Sequence, residues 1–409
     1  MMKYLQRELE RKFSRMSSFF KVMLVTGARQ VGKTTMLRHL AKDQNRTYVS
    51  LDNIMARNLA NTDPVLFFQT YKPPIIIDEV QYAPELFPQI KIMCDATEET
   101  GLFWLTGSQQ YKMMKNVHET LAGRIGILEL YSLSLSEKDN VIFENELDFS
   151  FSCLQDRHAI AQKNDIVHVF NHIWRGGMPL VLLADDEQRQ EYYSSYVKSY
   201  LMRDVAEQGG VTDTLRFNNF LVACAALISQ QLNYKTLADA AGISQPTAKE
   251  WLRLLEGMGI IFLLPPYANN QLKRLTKTPK LYFCDTGLAA FLSMWPTRET
   301  LQNGAASGRY FENHVVAELL KCYSYSEQKA NMFFYRDSNA QEIDILVQRG
   351  NIIHPLQVKK SALPDSREIK KFRILDKTAN EIGNGGVFCM CEEVVPIDEK
   401  NYFIPCNLI

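Results

Sequence analysis

Two short stretches of the chain carry residue types suited to gripping a triphosphate. Gly27-Ala28-Arg29-Gln30-Val31-Gly32-Lys33-Thr34 is followed by Thr35. Glycines let such a loop curl so that backbone N–H groups point inward at phosphate oxygens, and the positive end of a following helix adds to the pull. In that geometry Lys33 is expected on the β- and γ-phosphates of ATP and the Thr34 hydroxyl on Mg²⁺, with residues 27–35 as the nucleotide-binding loop. Downstream, Ile75-Ile76-Ile77-Asp78-Glu79 is an apolar run closed by two acids. Asp78 is expected to hold Mg²⁺ through water and Glu79 to polarise the attacking water.

Two more positions fit the same chemistry. Phe103-Trp104-Leu105-Thr106-Gly107-Ser108 is an apolar run ending in small hydroxyl residues. Ser108, or alternatively Thr106, is expected to help orient the water. Arg124, in Leu121-Ala122-Gly123-Arg124, is expected to act on the γ-phosphate in cis or across a subunit boundary, with a surface ion pair as its plain alternative.

The elements that must hold these groups follow from patterning. From Val22 to Leu130 short apolar runs alternate with helical stretches, the signature of an α/β domain on a parallel sheet. The predicted strands are 22–26, 48–51, 75–78, 103–106 and 127–130, after a short polar helix over 3–15. A polar, irregular stretch over 139–156 precedes helical sequence from 164 to 208, broken at Gly176-Gly177-Met178-Pro179. Three helices and two strands are predicted from 217 onward. Within them, Thr236 to Leu252 reads as helix, glycine turn at Gly242 and second helix. Ser244 suits its N-cap, and Ala248, Trp251, Leu252 and Leu255 line one face.

Residues 215–282 hold eight basic residues against three acids, a net +5 inside a neutral chain. A winged helix-turn-helix module touching double-stranded DNA is therefore expected, with Lys249, Arg253, Lys273 and Arg274 as contacts and a solvated structural module as the alternative. Asp285-Thr286-Gly287 resembles one half of an aspartic-protease site. It lacks the second carboxylate that chemistry requires, so a strand-end turn is expected.

GARQVGKTT, IIIDEVQ, LTGSQQ, LAGR and GGMP, with YLMRDV (200–205), PKLYFCDTGL (279–288) and GRYFENHV (308–315), resemble a bacterial and archaeal family of AAA-type ATPases. Its members carry a C-terminal domain of unknown function. The resemblance implies a P-loop ATPase core (1–135), an insertion and helical lid (136–214), the winged helix-turn-helix (215–282), a linker (283–305) and a restriction-endonuclease-like α/β domain (306–409). It also implies assembly as a homo-oligomer. Within the last domain, Glu312 on a helix, Asp344 on a strand and Gln357-Val358-Lys359 on the next strand resemble a nuclease core, whose acids bind Mg²⁺ and whose lysine supports the attacking water. Gln357 departs from that pattern, since a carboxylate usually stands there.

Composition limits the alternatives. The 409 residues are 46% hydrophobic and 22% charged, with 46 basic against 46 acidic side chains. These values suit globular domains and exclude a polybasic protein. The longest apolar run, Phe220 to Ile228, is under half the ~20 residues that span a bilayer, so no membrane is expected. Eight scattered cysteines and a charged start without an apolar signal core suggest reduced thiols and a cytoplasmic protein. The expected function is Mg²⁺-dependent ATP binding and hydrolysis, coupled to conformational change in the C-terminal part and acting on DNA or a protein partner. A nucleotide-sensing DNA-binding protein with little turnover and a metal-dependent nuclease are the alternatives.

Overall fold

A computed structural model describes residues 4–409 except 108–119, 164, 210, 212, 269–277, 338, 340 and 378–379. Ser108, Lys273 and Arg274 lie outside the described residues. The chain divides into two compact units, Gln6–Ser132 with Gly257–Ile260, and Leu133–Glu256 with Ile261–Ile409 and the first five residues.

The first unit runs α1 (Leu9–Ser17), β1 (Val22–Thr26), α2 (Lys33–Leu40), β2 (Thr47–Ser50), α3 (Ile54–Thr62), α4 (Pro64–Thr70), β3 (Ile75–Asp78), α5 (Leu86–Asp95), β4 (Phe103–Thr106) and β5 (Ile125–Glu129). Its five strands lie in the order β2-β3-β4-β1-β5, all parallel. Every residue of β1, β3 and β4 is buried, as central strands covered on both faces must be. Each of the five strands read from the sequence is present, within two residues at its ends. The first helix starts at Leu9, later than expected. It buries Leu9 and Phe13, and Phe13 meets the edge of Trp104 at 4.9 Å.

The second unit continues with α6 (Leu135–Lys138), α7 (Phe151–Ile160), α8 (Ile166–Arg175), α9 (Asp186–Ser195) and α10 (Met202–Gly209). Next come α11 (Thr214–Ala226), β6 (Gln230–Gln231), α12 (Tyr234–Ala241), α13 (Gln245–Gly257), β7 (Ile261–Leu264) and β8 (Lys280–Phe283). In α13, Ala248, Trp251, Leu252 and Leu255 are the buried face, and Trp251 packs on Phe217 and Phe220 at 5.1 and 5.4 Å. The Ser244 hydroxyl accepts from Thr247 N, the N-cap bond its position suggested. Strands β6, β8 and β7 form a three-stranded antiparallel sheet.

The stretch 283–305, expected as a linker, is built structure. It holds α14 (Thr286–Leu292) and α15 (Arg298–Asn303), and six of the seven α14 residues are buried. The reason lies in Asp285. Its Oδ1 accepts from Leu288 N and Tyr193 OH, both at 2.9 Å, and its Oδ2 accepts from Gly177 N at 2.8 Å. Gly177 itself admits no side chain, because a Cβ there would fall 2.2 Å from Leu133 O. The Gly-Gly-Met-Pro break and the Asp-Thr-Gly turn are thus two halves of one packed joint.

The C-terminal part comprises α16 (Ser307–Tyr325), β9 (Asn331–Arg336), β10 (Glu342–Arg349), β11 (Ile352–Val358), β12 (Glu381–Ile382), β13 (Gly385–Cys389), β14 (Val395–Pro396) and β15 (Asn401–Pro405). These strands make a seven-stranded mixed sheet, β14-β15-β13-β11-β10-β9 with β12 beside β11. Strands β9, β10 and β11 pair antiparallel, whereas β11, β13 and β15 run parallel. Among the described residues no helix is long and apolar enough to cross a membrane.

Candidate functional site

The glycine loop leaves β1 at Thr26 and enters α2 at Lys33, so it lies at the C-terminal edge of the parallel sheet. Three of its residues have positive φ: Gly27 at 134°, Gln30 at 63° and Gly32 at 99°. A Cβ on Gly27 would sit 2.1 Å from Leu130 O, so only glycine fits against the strand-end carbonyl there. The loop is also held from behind. The buried guanidinium of Arg7 donates from Nη1 to Val31 O at 2.8 Å and from Nη2 to Tyr131 O at 2.7 Å. Ala28 and Val31 are buried, Arg29 is half-buried, and Gln30 and Thr35 face solvent.

Lys33 is buried, and its Nζ donates to Gly27 O at 3.0 Å and Ala28 O at 2.7 Å. The ammonium therefore sits under the loop curve, where an anion's oxygens would compete with neutral carbonyls for it. Thr34 Oγ1 donates to Asp78 Oδ1 at 2.6 Å. Because β4 lies between β1 and β3, Thr106 at its end reaches both acids: its hydroxyl donates to Asp78 Oδ1 and accepts from Glu79 N, the latter at 3.1 Å. Glu79 has φ 58°, a left-handed conformation costly for a residue with a side chain and characteristic of functional sites. Its carboxylate accepts from Gln81 Nε2. Tyr48, which sequence reading did not single out, donates its hydroxyl to Asp78 Oδ2 at 3.2 Å. Burial, and then the Asp78 charge, push this phenol up to about 12, so it stays a donor. No spacing rule marks Tyr48; only its neighbouring strand places it here. Thr34 and Asp78 present hard oxygen donors side by side, a set that fits Mg²⁺.

Arg124 lies elsewhere. Its backbone O accepts from Val22 N, at the start of β1, whereas the glycine loop follows Thr26 at the other end, about 13 Å along the strand. Its guanidinium forms a two-pronged pair with Asp95, Nε to Oδ1 at 2.6 Å and Nη2 to Oδ2 at 3.1 Å. That bond holds the Asp95 carboxyl below its usual range. The expected cis role of Arg124 is corrected by this placement: it occupies the opposite edge of the sheet from its own chain's loop.

On the helix-turn-helix, Lys249 and Arg253 are exposed, one helical turn apart and outside the buried face. Lys249 Nζ lies 5.0 Å from the Tyr234 ring centre.

The structure gathers the nuclease-like residues unevenly. Glu312 Oε1 accepts from Lys280 Nζ at 3.0 Å and Tyr282 OH at 2.7 Å. Asp344 is half-buried, and its Oδ2 accepts from Val358 N at 2.9 Å. Burial, and then the Glu312 charge, push its carboxyl up to about 7. Gln357 turns its Nε2 to Glu342 O at 2.9 Å, and Lys359 leans to Glu368 at 3.5 Å. Lys280 and Glu342 were missed as members of this cluster. A lysine opening the otherwise apolar strand KLYF was the available signal.

A second buried polar cluster also escaped sequence reading. His172 on α8 and His314 on α16 face Glu318 Oε1 at 3.8 and 4.0 Å. Lys321 Nζ lies 2.8 Å from the same oxygen, and Leu135 N donates to Oε2 at 2.8 Å. Both carboxylate oxygens are thus engaged, and desolvation drives both imidazoles toward the neutral form.

Residues 19–138 match a family model described as an AAA domain. Residues 167–299 and 307–409 match two models described as domains of unknown function, DUF8612 and DUF4143. An AAA-type P-loop core and a C-terminal domain of unknown function are therefore both present. An uncharacterised protein of Mycobacterium tuberculosis is 25% identical over 358 residues, covering 87% of this chain and 74% of that protein. An uncharacterised protein of Haemophilus influenzae is 22% identical over 377 residues, covering 87% and 85%. Among solved structures, a Walker-type ATPase of Pyrococcus abyssi aligns at 14% identity and TM-score 0.42, over 71% of this chain and 96% of that one.

Proposed function

We propose that this protein binds ATP with Mg²⁺ at the loop 27–35 and hydrolyses it, and that the reaction drives its helical and C-terminal parts. The observation that carries the reading is the meeting of Thr34, Asp78 and Thr106 beside Glu79, at the sheet edge from which the glycine loop springs. In this reading, backbone amides of residues 27–33 and the α2 dipole receive the phosphates. Lys33 leaves the carbonyls of Gly27 and Ala28 for the β- and γ-phosphate oxygens. Thr34 and Asp78 hold Mg²⁺, which when bound draws charge off the phosphates. Glu79 accepts a hydrogen bond from the attacking water, while Thr106 fixes the backbone that aims it. Ser108 remains the alternative orienting residue. Arg124 is proposed to serve a neighbouring subunit's nucleotide.

Two variants test the reading. Lys33→Ala should abolish ATP binding in calorimetry. Glu79→Gln should bind ATP normally while phosphate release falls by roughly 10²–10⁴-fold. Unchanged turnover in both would refute hydrolysis at this site.

The exposed pair Lys249 and Arg253 supports a second element of the reading, that the helix-turn-helix module acts as a winged helix and meets the phosphates of duplex DNA. Lys273 and Arg274 belong to the same proposal on charge alone.

A further inference from the structure

The acidic face of the C-terminal sheet carries its own cation. Lys280, the first residue of β8, places its Nζ 2.6 Å from Glu342 Oε1 and 3.0 Å from Glu312 Oε1, with its side chain 5% exposed. Tyr282, two residues along and on the same side of the strand, donates to the same Glu312 oxygen at 2.7 Å. Arg336 Nη1 stands 3.6 Å from Glu342 Oε2. The remaining acid, Asp344, spends its Oδ2 on Val358 N.

We propose that Lys280 is the resident cation of this cluster, so that the C-terminal sheet is a packing and binding module that takes no divalent metal. A metal that cuts phosphodiesters needs several carboxylate oxygens at about 2.1 Å, converging on one point with room for water. Here the point between Glu312 and Glu342 is filled by an ammonium at hydrogen-bonding distance from both. A dication brought within a few ångströms of that ammonium would meet direct repulsion, in a buried setting that screens it poorly. The donor set has shifted in the same direction. Gln357 is neutral, and its amide nitrogen is committed to Glu342 O. Lys359, expected to support a water, instead leans to Glu368. A scaffold that loses one negative charge and gains an internal positive one balances its charge without a metal. Because Lys280 belongs to the three-stranded sheet beside the helix-turn-helix, the same ion pairs fasten that sheet to the C-terminal one.

Mn²⁺ uptake by the nucleotide-free full-length protein tests this, read from the paramagnetic resonance of free Mn²⁺. Wild type and Asp344→Asn should take up equal amounts, and neither should nick supercoiled DNA in Mn²⁺. Lys280→Ala should gain one further equivalent, lost again in the Lys280→Ala/Asp344→Asn double variant. The proposal is overturned if wild type binds one equivalent more than Asp344→Asn, or nicks DNA that Asp344→Asn leaves intact. A folded Lys280→Ala protein with unchanged uptake overturns it as well. Should that variant fail to fold, the comparison of wild type with Asp344→Asn still decides.

Discussion

Thr34 Oγ1 donates a hydrogen bond of 2.6 Å to Asp78 Oδ1, although 44 positions separate the two residues along the chain. The hydroxyl opens a helix and the carboxylate closes a strand that is not a neighbour of β1. The intervening strand β4 brings them together, and its Thr106 bonds to the carboxylate from the other side. A hydroxyl and a carboxylate already in contact need little rearrangement to share one cation.

Thr106→Val keeps the side-chain shape and deletes both hydrogen bonds. Asp78 and the Glu79 backbone would lose their common anchor, and small misplacements of reacting groups cost up to about 10²-fold in rate. Turnover is expected to fall roughly tenfold to a hundredfold while ATP affinity changes by less than about threefold. Phosphate release and calorimetry on the same preparation separate the two; a turnover rate within twofold of wild type would reduce Thr106 to a packing residue.

Arg124 supplies a test of assembly. On the far edge of the sheet it cannot reach its own loop, so Arg124→Ala should bind ATP as wild type does yet lose about 10³-fold in turnover. Mixing it with Lys33→Ala, which keeps the arginine but lacks the phosphate lysine, should restore part of the activity in mixed assemblies. Silence of the mixture would confine Arg124 to its ion pair with Asp95.

The His172–His314–Glu318 cluster predicts acid lability. Burial holds the His314 imidazole down at about 4, against an ordinary value of 6.5, and pushes His172 well below 6.5. Lys138 and Lys321 add repulsion to any charge placed there, and Glu318 is the anion that opposes it. With the folded pKa below the unfolded one, the unfolded chain binds more protons between these values, so stability is complete above about 6.5 and is lost as pH falls toward 4. His314 alone should contribute roughly 3 kcal/mol across that window. Melting temperature measured from pH 7 to 4 should drop steeply for wild type and less steeply for His314→Gln; parallel curves would remove the cluster from the acid response.

The glycine loop, the five parallel strands and the acids at the end of β3 were legible because each is a contiguous stretch whose meaning is local. Glycine spacing dictates a curl, and an apolar run ending in carboxylates dictates a buried strand with an exposed tip. The faces of α13 were legible for the same reason, through helical periodicity. Other features depended on which strands became neighbours. Thr106 bonds to both acids because β4 lies between β1 and β3. Arg124 stands away from its own nucleotide loop because it precedes β5, at the opposite edge of a parallel sheet. Asp285 closes a joint with Gly177, and Lys280 meets Glu312 and Glu342, through approaches between distant segments that no spacing encodes. Local sequence determines which groups can grip a phosphate. The packing of apolar surfaces over long separations decides which charges end up face to face, because burial fixes strand order first and the polar side chains must then find partners where that order leaves them.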